Sequence, residues 1–169
     1  RDLRILRQTV TGMLNLEMAM AEDVIAIACD VKPHMATLVP ERRQELTTEG
    51  GLAVQGQQER IAPVVARLHE AGIKVSLFIA PDPVDVRIAS ELGVDQVELH
   101  TGRYSELTGE AQEEELLRIA AAAAEGGRLD IAVAAGHGLD YANVREVCSI
   151  PEVEELNIGH SIVARALII

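Results

Sequence analysis

At 169 residues the chain is long enough for one domain, residues 1–169, with a substantial core. Its formal charge of −12 argues against a nucleic-acid partner or an anionic membrane surface, while leaving room for a local basic pocket that takes a phosphorylated metabolite. Hydrophobic residues make up 48% but aromatics only 2%, so the core is built of Ala, Val, Leu and Ile, which suits parallel strands covered by helices; no apolar run approaches the length of a membrane span and no secretory signal is visible.

Residues 1–9 have helical character, with Leu3, Leu6 and Arg7 spaced for one face. The first predicted strand is 13–18. Met13, Asn15 and Glu17 share one of its faces; Leu14, Leu16 and Met18 share the other. In a barrel the apolar face meets the helices and leaves Asn15 and Glu17 inside. An inward carboxylate near the C-terminal end of a strand is placed for work as a general base. A helix follows at 21–31, with Glu22 and Asp23 in its first turn, where the helix dipole favours acids, and Lys32-Pro33 ends it. His34 opens the strand 34–40 at the end remote from any expected site and reads as structural.

Residues 41–51 form a loop too polar and too long to be a simple connector. Arg42 and Arg43 offer guanidinium groups to a phosphate or carboxylate, Thr47 and Thr48 offer hydroxyls, and loops after strands carry function in such folds. A helix is predicted at 57–71, with Ile61, Val64, Val65 and Leu68 at helical spacing and His69 in solvent. A strand at 74–80 and a helix at 83–92 come next. In the strand 96–101, Gln96, Glu98 and His100 share one face. A carboxylate and an imidazole side by side on an interior face are costly to bury unless they are paired or used.

The polar segment 102–109, with Arg103 and Tyr104, reads as a candidate lid, followed by a helix at 110–125. The strand 130–137 stops on His137, held between Gly136 and Gly138. Glycines let the backbone turn sharply and let a ligand approach closely, and histidine trades a proton near neutral pH. After a helix at 141–148, the last strand, 153–158, leads into Gly159-His160-Ser161 at the start of another helix. The free N–H groups and positive dipole end there suit a phosphate. Cys29 and Cys148 fall on separate helices without metal-type spacing, which predicts buried or free thiols in a reducing cytosol.

Strand and helix thus alternate about six times, which implies a parallel sheet. A closed (β/α)₈ TIM barrel takes eight such units and about 250 residues, so the expected architecture is an incomplete barrel of about six βα units. Polar residues gather at the C-terminal ends of the strands: Glu17, Arg42, Glu98, His100, His137 and His160.

Seven segments, in order, resemble one family. They are Asn15-Leu16-Glu17-Met18, Val39-Pro40-Glu41-Arg42-Arg43-Gln44-Glu45, Thr47-Thr48-Glu49-Gly50-Gly51, Val75-Ser76-Leu77-Phe78-Ile79, Glu98-Leu99-His100-Thr101-Gly102, Ala135-Gly136-His137-Gly138-Leu139 and Glu155-Leu156-Asn157-Ile158-Gly159-His160. Together they resemble pyridoxine 5′-phosphate synthase over nearly the whole chain. The resemblance implies a (β/α)₈ barrel that condenses 1-deoxy-D-xylulose 5-phosphate with 3-amino-2-oxopropyl phosphate to pyridoxine 5′-phosphate, releasing inorganic phosphate and water. It also implies a cytoplasmic homo-oligomer, an octamer built from dimers, with no metal and no organic cofactor. By the same resemblance Glu17 is the general base and His137 the proton donor. Thr47 contacts the deoxyxylulose phosphate, and Gly138, Gly159 and His160 form the site for the amino-oxopropyl phosphate. Glu98, His100 and Arg42 are supporting residues.

The family's Asn-x-Asp-His first strand, its His-Leu-Arg segment with the following Arg-Arg-His run, and its final helix do not occur in this sequence. Ala134 stands where family members carry a more polar residue. The resemblance therefore implies that this chain holds part of the family's site, and a sheet with two open edges invites association. A second reading is a non-catalytic phospho-ligand-binding or assembly subunit, which binds phosphate without forming a ring. A third, an unrelated phosphate-binding barrel, accounts for Gly159-His160 but not for the ordered run of segments.

Overall fold

The computed structural model describes residues 2–41, 47 and 50–168. In chain order the first elements are α1 (Asp2–Thr9), β1 (Asn15–Met18), α2 (Glu22–Val31), β2 (Met35–Leu38), α3 (Gln58–Glu70), β3 (Lys74–Ile79) and α4 (Pro83–Glu91). Then come β4 (Gln96–His100), α5 (Gly102–Glu106), α6 (Glu110–Arg128), β5 (Ala132–Gly136), α7 (Val144–Val147), β6 (Val153–Asn157) and α8 (His160–Ala166). The six strands form one parallel sheet in the order β1-β2-β3-β4-β5-β6, curled as part of a barrel. Each strand pairs with its successor in sequence, the arrangement that helix-bearing crossovers produce.

The register decides which residues share a face. Glu17 stands opposite Thr37, Thr37 opposite Ser76, Phe78 opposite Glu98, Glu98 opposite Ala134 and Gly136 opposite Asn157. The concave face is therefore polar, as the alternation in the sequence predicts. The other face carries Leu38, Leu77, Ile79 and Leu99 against Ile61 and Leu68 of α3, Val86 of α4 and Ile119 of α6. All eight side chains are sealed from solvent. Helix α6 lies close on β5 because its Ala-rich half ends in glycine: a Cβ on Gly126 would stand 2.5 Å from Cγ2 of Val133. At the head of α4, Asp82 accepts from the N–H of Val84 at 2.7 Å and Pro83 fills the first position, two signals that start a helix.

Three expectations need correction. Strands β1 and β2 hold four residues each, shorter than predicted: β1 starts only at Asn15 because the N–H of Leu14 goes to the His34 ring instead of a strand carbonyl, and β2 is trimmed at both ends to Met35–Leu38. The segment read as a lid contains α5, and Tyr104 is 2% exposed with its hydroxyl donating to the carbonyl of Asn143 at 2.8 Å; a buried aromatic anchors the segment to the body. The helix expected at 141–148 shrinks to the single turn α7. Asp140 takes the N–H groups of Ala142 and Asn143 on its own carboxylate, which fixes a turn there instead. His34 is structural as expected, its Nδ1 accepting from the N–H of Leu14 at 2.8 Å. His69 does more than face water: it pairs with Asp95 at 2.8 Å, and Asp95 also accepts from the N–H of Val75. Cys29 and Cys148 are both free. Among the described residues no helix is long and apolar enough to cross a membrane.

Candidate active site

A cavity of about 850 Å³ opens at the C-terminal ends of the strands. Strand β1 supplies Glu17, β3 supplies Phe78, β4 supplies Glu98 and β6 supplies Asn157. His137 and Gly138 come from the end of β5, Gly159 and His160 from the end of β6, and Gly50 from the loop after β2. In parallel α/β folds ligands bind at this end of the sheet, where loops can vary without disturbing the core.

Glu98 is 4% exposed, and burial pushes its carboxyl up to about 7. The negative charges of Glu17 and Glu155 push in the same direction. The Asn157 amide pulls the other way, although its Nδ2 faces the carboxylate without completing a hydrogen bond of normal geometry. Room for this carboxylate comes from the neighbouring strand: a Cβ on Gly136 would lie 2.3 Å from Oε1 of Glu98. A carboxyl that titrates near neutrality can both give and take a proton under physiological conditions.

His137 is exposed to the cavity and has φ of +82°, a left-handed conformation uncommon for a residue with a side chain. Such a conformation costs on the order of 1–3 kcal/mol and persists only where the surroundings over-determine it. Here they do. The Oγ1 of Thr101 lies 2.7 Å from the carbonyl oxygen of Gly136 and 2.6 Å from that of His137. Beneath the His137 ring lies the ring of His100, stacked at 4.8 Å between centroids with 23° between planes, and Phe78 lies 5.0 Å from His100. Nδ1 of His100 accepts from the N–H of Gly102 at 3.1 Å, so neutral His100 carries its proton on Nε2. A Cβ on Gly102 would stand 2.4 Å from His100 and 2.9 Å from His137, so glycine at this position admits both rings.

On the opposite wall, Ser161 donates to the carbonyl of Leu139 at 3.0 Å and ties the end of β5 to the start of α8. This brings Gly138, Gly159 and His160 to one side of the cavity. Helix α8 has seven residues, so its dipole is weaker than a long helix would give. What the fold supplies there is convergence of two glycine-bearing strand ends.

Of the residues singled out from sequence, Glu17, Glu98, His137, Gly138, Gly159 and His160 line this one cavity. His100 lies under its floor rather than on its surface. Thr47 stands beside the wall: its Oγ1 accepts from the N–H of Gly51 and closes the turn that carries Gly50 into the cavity. Arg42 lies outside the described residues. Phe78, Asn157 and Thr101 are not among the site residues expected from sequence, and Gly136 is expected there only as a turn that lets a ligand approach. Phe78 and Asn157 have a legible signal, since each sits near the end of a strand on the same face as Glu98. Among the described residues no group of three or more His, Cys, Asp and Glu side chains is arranged to hold a metal ion.

Comparison with known proteins identifies the family. A family model described as pyridoxal phosphate biosynthesis protein PdxJ matches residues 1–169. The chain is 54% identical over 170 residues to pyridoxine 5′-phosphate synthase of Synechococcus sp. (strain JA-2-3B'a(2-13)), covering 100% of this chain and 71% of that protein. It is 51% identical to the enzyme of the same name from Citrifermentans bemidjiense, with the same coverage, and 52% identical to that of Geobacter sulfurreducens, covering 99% of this chain and 70% of the relative. Two solved structures share the fold alone. A xylose isomerase domain protein from Planctomyces limnophilus superposes with a TM-score of 0.55 at 14% identity, over 86% of this chain and 62% of that one. The probable 3-DHS dehydratase AsbF from Bacillus anthracis superposes with a TM-score of 0.59 at 10% identity, over 91% and 66%.

Proposed function

Because this chain belongs to the family described as pyridoxal phosphate biosynthesis protein PdxJ, whose curated relatives are pyridoxine 5′-phosphate synthases of vitamin B6 biosynthesis, we propose that its cavity carries out that enzyme's ring closure. The substrates are 1-deoxy-D-xylulose 5-phosphate and 3-amino-2-oxopropyl phosphate, and the products are pyridoxine 5′-phosphate, inorganic phosphate and water. The observation that carries this reading is the convergence of Glu17, Glu98 and His137 on one cavity with the glycine-bearing ends of β5 and β6.

The chemistry needs that set of groups. Imine formation, enolisation, dehydration and loss of phosphate each move a proton at a fixed place, and a side chain is useful there if it stands within reach and titrates near the working pH. Glu17 serves as the base that removes a carbon-bound proton. His137 serves as the acid that protonates a departing oxygen. Glu98, raised to about 7, stands between them on the same sheet face and serves as a proton reservoir that returns each group to its starting state. Gly138, Gly159 and His160 hold the phosphate of the amino-oxopropyl substrate: the two glycines, with no side chain, let backbone N–H groups approach the oxygens, and His160 adds its imidazole. Thr47 contacts the deoxyxylulose phosphate, and Arg42 is a supporting residue.

A homo-oligomer in the cytoplasm, octameric by the family resemblance, belongs to the same reading. Light scattering measures the mass. The function itself is tested by supplying both phosphorylated substrates to the protein at the length of its relatives and following pyridoxine 5′-phosphate by mass spectrometry. Product formation that Glu17→Gln abolishes supports the reading. Binding of both substrates to folded protein without product overturns it in favour of a binding subunit.

A further inference from the structure

The fold holds His137 in place with a group that never reaches the cavity. Consecutive carbonyls of a strand point in opposite directions. The carbonyls of Gly136 and His137 instead converge on one hydroxyl, that of Thr101, at 2.7 and 2.6 Å. They do so because the chain abandons the extended conformation between them, at the positive φ of His137. Thr101 is the residue after β4, and its own N–H donates to the carbonyl of Gly136 at 2.8 Å, which continues the ladder in which His100 stands opposite Gly136. Backbone and side chain of one residue thus mark the point where β5 must stop and turn. Thr101 is fully buried and is absent from the cavity wall, so it has no route to a substrate.

We infer that Thr101 is a positioning residue for the ring-closing reaction, acting through His137. Its hydroxyl fixes the two peptides that flank His137, and with them the direction in which the imidazole enters the cavity above the His100 ring. The inference rests on the reading that His137 carries a proton in catalysis. Threonine suits the post because its β-branch leaves few rotamers, so the hydroxyl is already aimed when the strand end arrives. A water molecule in its place would satisfy the same carbonyls without fixing their direction.

The test is a mutant cycle on the active enzyme, with folding checked by circular dichroism. Thr101→Val keeps the shape and removes the donor; Thr101→Ser keeps the donor. We expect T101V to lower kcat about 10- to 100-fold, the scale on which a misplaced catalytic group acts, with KM nearly unchanged. T101S should recover most of the rate. The double variant T101V/H137N should be no slower than H137N alone, because a residue that works through His137 has nothing left to position once His137 is gone. Should T101V fail to fold, Thr101→Ala, which leaves room for a water, takes its place in the cycle. Wild-type kcat in T101V or T101A beside a strongly slowed but measurable H137N overturns the role of Thr101 and leaves that of His137 standing. Additive losses in the double variant overturn it too, and a nearly normal rate in H137N overturns the reading on which it rests.

Discussion

The two faces of the sheet differ in what they leave unfinished. On the helix side, Leu38, Val75, Leu77, Ile79, Val97, Leu99 and Val133 pack into one continuous core. On the cavity side, Ser76 Oγ, Gln96 Oε1 and Asn157 Nδ2 are buried without a hydrogen-bond partner, and Glu98 is buried next to two other acids. Buried polar atoms are ordinarily satisfied, and each exception lowers stability. Both faces are made by the same strands, residue by alternate residue. One face stores the free energy of folding and the other spends stability on groups that have work to do.

Substitutions on the two faces should therefore separate stability from turnover. The largest effect belongs to Glu17→Gln. It removes the proposed base from an exposed position at the rim, and kcat should fall by at least about 10³-fold, roughly 4 kcal/mol of barrel-mouth chemistry, while the thermal midpoint stays put. A large fall in midpoint would mean that Glu17 is holding the fold.

Next comes Leu77→Ala on the helix side. A fully buried leucine cut to alanine should lose about 2–5 kcal/mol in a urea titration, with the rate per folded molecule unchanged. If kcat fell with stability intact, the faces would not be separable.

Glu98→Gln sharpens the contrast because the expected sign is reversed. The Glu98 carboxyl binds its proton up to about pH 7 when folded, against about 4.3 for an unfolded glutamate. Between those values the native state holds more protons than the unfolded one, so this residue's contribution to stability is full below the lower value and is lost as pH rises through the upper one. Relative to wild type, E98Q should gain stability as pH climbs through that window, reaching about 3–4 kcal/mol above it, while losing activity. A flat difference across the window would show that Glu98 is not strained by burial. The smallest effect is expected far from both, at His69→Ala. Its half-exposed pair with Asp95 should contribute under about 1 kcal/mol, with no change in kcat; a rate change would link the base of the strands to the cavity.

Much of this arrangement is legible from sequence because both of its periods are short. The alternation of Asn15-Leu16-Glu17-Met18 and of Gln96 to His100 assigns side chains to faces, and glycines after His137 and Ile158 mark strand ends that a ligand can approach. Helix α5 is not legible, since its polar residues read as loop and the burial of Tyr104 depends on Asn143, far along the chain. The role of Gly136 is equally hidden. In sequence it is a glycine at a turn; in space it is the socket for a carboxylate from the neighbouring strand. Thr101 escapes for the same reason, because the carbonyls it holds belong to residues 35 and 36 positions later. Thr47 shows the converse, a residue whose motif points to a ligand and whose hydroxyl also closes a turn.

The strand order β1-β2-β3-β4-β5-β6 has a consequence for how the molecule comes into being. Among the described strands, each of β2 to β6 finds its neighbour in the strand synthesised just before it. Every closure spans a single crossover, which keeps the entropic cost of each pairing small. The sheet can therefore grow at its edge as the chain leaves the ribosome, one βα unit at a time. The cavity is completed when β5 and β6 bring His137 and His160 to the rim that carries Glu17.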